Sequence, residues 1–146
     1  MPKERIVIYT DGGSRGNPGP AAIGVVIKNE SGHTVKSYGE AIGETTNNEA
    51  EYRAVVSALK KTKALLGKKK IKNMQVEVNM DSELVVNQLT GKYKIEEEKL
   101  FPFFINIWNL KIDFGKIVFC HIPREKNREA DRMVNEALDQ KHPKLL

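Results

Sequence analysis

The sequence predicts an α/β protein built on a five-stranded mixed sheet whose first three strands are antiparallel. Three β-patterned runs follow one another at the start, two of them joined by a tight-turn signal. Two later β runs are separated from them, and from each other, by helical periodicity, which permits parallel crossovers. The chain has 146 residues, enough for one core and too few for two ordinary ones. A single domain over residues 1–146 is therefore expected, with 140–146 as a frayed tail.

The first strand is Arg5 to Thr10, short, β-branched and aromatic, ending on the turn signal Asp11-Gly12-Gly13. After the loop from Ser14 to Pro20, the runs Ala21 to Lys28 and His33 to Ala41 flank Asn29-Glu30-Ser31-Gly32, a hairpin turn. From Asn48 the texture changes. Ala50, Ala54, Val55, Ala58, Leu59, Leu65 and Leu66 recur at helical spacing, and Gly67 closes the run. Val76 and Val78 alternate with polar residues in a fourth strand leading to Asp81, followed by a short helix with Leu84, Val85, Gln88 and Leu89 that stops at Gly91. Glu96 to Ile112 reads as a helix that tolerates Pro102 only in its first turn. Phe101, Phe103, Phe104 and Trp108 within it are expected to pack in the core rather than form a base-stacking platform. Lys116 to Ile122 is the fifth strand, and Asn127 to Leu138 the last helix.

Composition sets outer limits on function. Hydrophobic residues at 40% and charged residues at 29% describe a folding chain, not a disordered one. A net charge of +5 favours an anionic partner without deciding one. Cys120 is the only cysteine, so an internal disulfide and zinc sites built on cysteine pairs are excluded, and a reducing, cytoplasmic setting is expected. No signal-peptide core can be drawn behind Met1-Pro2-Lys3-Glu4-Arg5, and no apolar run is long enough to span a bilayer. The lysines at 60, 61, 63, 68, 69, 70 and 72 crowd the end of the long helix, where cations are favourable anyway, and are read as a solvated face.

Four acids stand out, each with an ordinary explanation beside it. Asp11 has the chemistry of a turn former before glycines. Glu51, three residues after Asn48, has the offset of a capping box. Asp81 precedes a helix and suits an N-cap, and Asp131 suits a solvated helix face. Taken together, two strand ends and two helix starts each present an acid at one end of the sheet, where α/β folds commonly place their sites. Carboxylates gathered there would repel unless cations joined them. A nest with few histidines and no cysteine pair points to Mg²⁺ or Mn²⁺. Two such ions about 4 Å apart support phosphodiester hydrolysis without a protein nucleophile.

The string Tyr9-Thr10-Asp11-Gly12-Gly13-Ser14-Arg15-Gly16-Asn17-Pro18-Gly19-Pro20-Ala21 resembles the opening motif of the type 1 ribonuclease H family. Three further blocks resemble the family in the same order. They are Thr45-Thr46-Asn47-Asn48-Glu49-Ala50-Glu51-Tyr52, Met80-Asp81-Ser82, and His121-Ile122-Pro123-Arg124-Glu125-Lys126-Asn127-Arg128-Glu129-Ala130-Asp131. The resemblance implies the ribonuclease H-like fold with helices on both faces of the sheet. It also implies an endoribonuclease that cuts the RNA strand of RNA·DNA hybrids and leaves 5′-phosphate and 3′-hydroxyl ends.

By the same resemblance the second acid is Glu51 rather than Glu49, and two Mg²⁺ or Mn²⁺ ions are held with substrate bound. Asp11, Glu51 and Asp81 would hold the ions while Asp131 completes the second site. Backbone groups at Gly12, Gly13 and Ser14 would contact the 2′-hydroxyl, and Asn17, Asn47 and Asn48 the minor groove, with Thr46 near a DNA phosphate. His121 would assist product release or proton transfer, a task that Arg124 or Glu125 could share. Between Asp81 and Asp131 the chain is too short for the basic handle of larger members, and Lys92, Tyr93, Lys94 and Lys99 would partly replace its grip. A free-standing monomer with no obligate protein partner is expected. The competing readings are a nuclease of the same fold acting on double-stranded RNA or RNA–DNA junctions, and a silent hybrid-binding domain.

Overall fold

Side chains along the first strand alternate between two environments, as a sheet with helices on it requires. A computed structural model describes residues 4–141 of the chain. In β1 (Arg5–Ser14) Ile6 and Ile8 are buried while Val7 and Tyr9 are half-buried on the opposite face. β2 (Gly19–Asn29) is buried on both faces over most of its length, and β3 (Thr34–Thr45), at the edge, is largely exposed. β4 (Gln75–Met80) and β5 (Lys116–His121) complete a five-stranded sheet in the order β3-β2-β1-β4-β5. The β1–β2 and β2–β3 pairs are antiparallel, and β1–β4 and β4–β5 are parallel.

Helices cover the two faces unequally. α1 (Asn47–Leu66), the short α2 (Lys68–Ile71), α3 (Glu83–Leu89) and α4 (Phe101–Asp113) share the main core with Ile8, Val25, Ile27, Val76 and Val78. α5 (Arg128–Lys141) packs on the other face through Val134, Ala137 and Leu138 against Ala22. Glycines let it lie close: a Cβ on Gly24 would come within 2.1 Å of the Ala130 carbonyl oxygen, and one on Gly39 within 2.2 Å of that of Met133. Gln140 and Lys141, expected to fray, lie in this helix, and the rest of the expected tail lies outside the described residues.

Two strands run further than their sequence patterns suggest. Asp11-Gly12-Gly13 is not a turn: β1 keeps pairing with β2 through Asp11↔Gly24 to Ser14↔Ala21. Its parallel pairing with β4 stops earlier, at Tyr9↔Asn79. Gly12 is there for close approach, since a Cβ on it would lie 2.2 Å from the backbone carbon of Ala50 in α1. β3 likewise passes Ala41 and reaches Thr45, because the register shifts opposite Ala21 and Ala22 and Gly43, at φ 83, absorbs the irregularity.

The aromatic helix corrects a second expectation. Only Ile107 and Leu110 of α4 are fully buried, Phe103 and Phe104 are half-buried, and Phe101 and Trp108 are 41% and 56% exposed. Trp108 stacks on Phe104 and carries the Lys111 ammonium 5.3 Å above its ring. The helix is apolar almost all the way round, so its periodicity could not say which stripe faces inward. The lysine run, by contrast, begins in α1 at Lys60, about 14 Å from Glu51 at the usual helical rise, and continues away from it. There Lys63 meets Asp113 at 2.7 Å and Lys70 meets Glu4 at 3.7 Å.

Gly12→Ala should force β1 and α1 apart and cost about 3 kcal/mol. Gly13→Ala, whose Cβ would meet nothing nearer than 3.8 Å, should change stability by less than about 1 kcal/mol. Urea denaturation of the two variants checks this, and equal losses would contradict it.

Candidate active site

β1 and β4 run side by side until Tyr9 and Asn79 and then part, and an acid follows on each strand beyond the last pair. Asp11, still in β1, is 8% exposed, and Asp81 stands half-buried immediately after β4. Glu51, in the second turn of α1, is brought in by the Gly12 contact, and its carboxylate accepts the Gly12 backbone N–H. One oxygen from each of the three carboxylates lies within 4.8 Å of the other two. Asp131, in the first turn of α5, is exposed and lines the same cleft of about 430 Å³.

The local hydrogen bonds remove the ordinary explanations for two of these acids. Thr46, not Asn48, caps α1, its Oγ1 accepting from the Glu49 amide at 3.3 Å. The cap is thus filled by Thr46, the residue three places on from it is Glu49, and Glu51 has no capping role. Ser82, not Asp81, caps α3, its Oγ accepting from the Val85 amide at 3.2 Å.

Their gathering is electrostatically costly. Burial pushes the Asp11 carboxyl up to about 7, and the neighbouring charges of Asp81 and Asp131 push in the same direction. Burial likewise holds Glu51 well above the ordinary carboxylate range, helped by Asp11 and Asp81 and opposed by the Gly12 N–H. A cluster of oxygen donors that resists ionising together is a good fit for a hard divalent cation, which would relieve the repulsion.

Around the acids lie most of the other residues singled out from sequence. Gly12, Gly13, Ser14, Asn47 and Asn48 line the cleft. Asn47 Oδ1 accepts from the Ser14 amide at 2.9 Å and from its hydroxyl at 3.1 Å, while Asn17 Oδ1 accepts from the Asn47 amide at 3.0 Å. Asn17, itself exposed, thus ties the loop after β1 to the start of α1, and Thr46 caps that helix as an acceptor with its hydroxyl proton still free to donate. Asn48 Nδ2 donates to Glu97 at 3.3 Å, which brings the loop before α4 to the edge of the cleft. That loop is tied down through Gln88, which accepts from the Tyr52 hydroxyl at 2.6 Å and donates to the Lys94 carbonyl at 3.3 Å. Tyr93 on the same loop is 52% exposed.

His121 is exposed at the end of β5, opposite Met80, and does not line the cleft, whereas Arg124 does. The sequence reading missed Arg15 and Asn127. Arg15 also lines the cleft and is paired with Asp139 at 2.8 Å. Asn127 is buried, with its side chain on β1. An asparagine just before a helical run signals a cap, but nothing in the sequence signals a bond to a strand 117 residues away.

A 3-2-1-4-5 mixed sheet sandwiched between α1 and α5, with acids where its two central parallel strands part, defines the ribonuclease H-like class. The family model described as Reverse transcriptase-like matches residues 9–137. A ribonuclease H of Anaplasma marginale is 41% identical over 158 residues, a match that covers 97% of this chain and 95% of that protein. A bifunctional protein of Mycobacterium tuberculosis is 38% identical, but the match covers 92% of this chain and 36% of that protein, so the chain spans about a third of that relative's length. Among solved structures, LC11-RNase H1 in complex with RNA/DNA hybrid aligns with a TM-score of 0.89 at 52% identity, over 93% of this chain and 98% of that one. The chain belongs to the ribonuclease H family, in its type 1 branch.

In metal-free protein the folded state keeps a proton on Asp11 that the unfolded chain has lost between its ordinary value of 3.8 and about 7. Stability contributed by that proton is present at low pH and lost as pH rises toward 7. With chelator present, wild type should therefore lose on the order of 3 kcal/mol relative to Asp11→Asn between pH 5 and pH 8. Denaturation curves of both proteins at several pH values check this, and parallel pH profiles would refute it.

Proposed function

We propose that this protein hydrolyses the RNA strand of RNA·DNA hybrids as an endonuclease, leaving 5′-phosphate and 3′-hydroxyl ends. The observation that carries the reading is the convergence of Asp11, Glu51 and Asp81 to within 4.8 Å at the floor of a cleft rimmed by glycine backbone and asparagine amides. The family, and a similar structure determined with an RNA/DNA hybrid bound, support the choice of substrate.

In this reading Asp11, Glu51 and Asp81 hold Mg²⁺ or Mn²⁺, and Asp131, whose charge already acts on Asp11 in the free protein and adds to cation affinity there, completes the second of two ion sites with substrate bound. When bound, two such cations supply charge stabilisation at the phosphate and a water of lowered pKa. The chain's own groups do the positioning. Gly13 lacks a side chain that would keep a ribose from the strand, so the backbone at Gly12 and Gly13 and Ser14 can meet a 2′-hydroxyl, the group that separates RNA from DNA. Asn47 and Asn48 present amides suited to the minor-groove edge, which read sugar and shape with little sequence preference. Asn17 holds Asn47 in place and meets the minor groove beside it, and Thr46 fixes the helix start that carries both asparagines and helps to hold a DNA-strand phosphate. His121, outside the cleft, serves product release or proton transfer from the rim, with Arg124 nearer the acids. Lys92, Tyr93, Lys94 and Lys99 grip the hybrid beside Asn48. We further infer that the protein works as a monomer in the cytoplasm. Among the described residues no helix is long and apolar enough to cross a membrane.

An end-labelled hybrid incubated with Mg²⁺ or Mn²⁺ should lose only its RNA strand, and chelator should stop the reaction. Asp81→Asn should reduce the rate by more than the roughly 10- to 100-fold that loss of a supporting group around a metal costs. Duplex DNA and double-stranded RNA should survive. Intact hybrid under both metals, or products with 2′,3′-cyclic ends, would overturn the reading.

A further inference from the structure

We propose that Asn127 is a positioning residue that sets the separation of Asp131 from Asp11 and thereby the affinity of the site for divalent cation. The inference rests on the ribonuclease H reading and deepens it.

Asn127 is 1% exposed, at the junction between the 3-10 turn Arg124–Lys126 and α5. Its amide Nδ2 donates to the Thr10 carbonyl at 2.9 Å, in the peptide that joins Thr10 to Asp11. Its own carbonyl accepts the Asp131 backbone N–H at 3.1 Å, and its N–H donates to Arg124 at 2.9 Å. One buried residue is thus a single hydrogen bond from the strand that carries the first acid and a single hydrogen bond from the fourth acid itself.

The orientation of the side chain favours this role over simple helix capping. An asparagine at the start of a helix ordinarily turns its oxygen onto a free amide of the first turn. Here Oδ1 is buried without a partner among the described residues, because the amide has turned its nitrogen toward β1. The tie to the strand is made at the expense of the local cap. The other polar links of α5 to the sheet are exposed, Arg15 with Asp139 and Asn135 and Lys28 with Glu129, and such contacts bind weakly in water. The buried packing of α5 falls mainly on β2 and β3, at Ala22, Gly24 and Gly39, and on β1 it reaches Gly13 through Val134 rather than Asp11 itself.

Asn127→Ser tests the proposal, because serine still caps a helix and cannot reach Thr10. Mn²⁺ is titrated calorimetrically into nucleic-acid-free protein, and folding is followed by urea denaturation. The dissociation constant should rise about tenfold or more. In an Asp131→Asn background the same substitution should change it little, because the acid that Asn127 positions is gone. An unchanged constant, or an equal loss with and without Asp131, would overturn the proposal and leave Asn127 a structural residue. If the serine variant does not fold, Asn127→Asp makes the same comparison. It keeps the size and the cap and lacks the donor, and its extra negative charge would by itself strengthen cation binding. A loss of affinity on Asn127→Asp that is larger with Asp131 present than in the Asp131→Asn background supports the positioning role, and an effect that is the same in both backgrounds refutes it. Wild type that binds Mn²⁺ but cuts no hybrid would defeat the proposed function, and the titration would still judge Asn127.

Discussion

The backbone of β1 touches the backbone of α1 at Gly12, and the geometry of the cleft descends from that contact. No other residue type fits there, since any Cβ would fall 2.2 Å from the carbonyl carbon of Ala50. With the two backbones in contact, the Gly12 N–H reaches the Glu51 carboxylate, and Glu51 comes to stand beside the acid that precedes Gly12. The helix start is placed by the same contact. Asn47 and Asn48 open α1, so the residues that hold the acids together and those that rim the cleft belong to one rigid piece.

Such an arrangement works against its own electrostatics. Burial and mutual repulsion both drive Asp11 and Glu51 toward their neutral forms, and within the protein the Gly12 N–H opposes this at Glu51. The remainder of the fold must hold the acids in place. It does so through the fully buried side chains of Ile8, Val25, Val55, Leu59, Val76 and Val78, which lock α1 across the sheet. Apolar packing fixes the backbone, and the fixed backbone keeps charges where they would not otherwise stay.

Much of this was legible in the chain. Alternation and helical spacing gave the order of elements, and four motif blocks pointed to the acids. What the sequence left open was the physical reason for individual residues. A glycine pair after an aspartate carries the same signal whether it turns a chain or admits a helix, so Asp11-Gly12-Gly13 looked like a strand end although pairing with β2 continues to Ser14. The caps fell on Thr46 and Ser82 rather than on Asn48 and Asp81, a distinction that decides whether two acids are free. Trp108 was expected inside because α4 has apolar residues on every side, and only the tertiary structure selects the stripe of Ile107 and Leu110. Asn127 was invisible because its partner, the Thr10 carbonyl, is a backbone group with no sequence signature.

The four acids also divide by how they are held. Asp11 and Glu51 are buried and Asp81 is half-buried, all on elements that share the main core. Asp131 is exposed, on a helix that lies on the opposite face against glycines and a smaller apolar cluster. A small cluster resists displacement less than a large one, because fewer buried contacts must be broken to shift the helix. A group carried on such a helix gains precision from direct ties to the site more than from its own packing. The buried hydrogen bond from Asn127 to β1 supplies such a tie, and the close approach of α5 to Gly24 and Gly39 keeps it short. The division leaves three acids fixed by the main core and makes the placement of the fourth depend on its tie to β1.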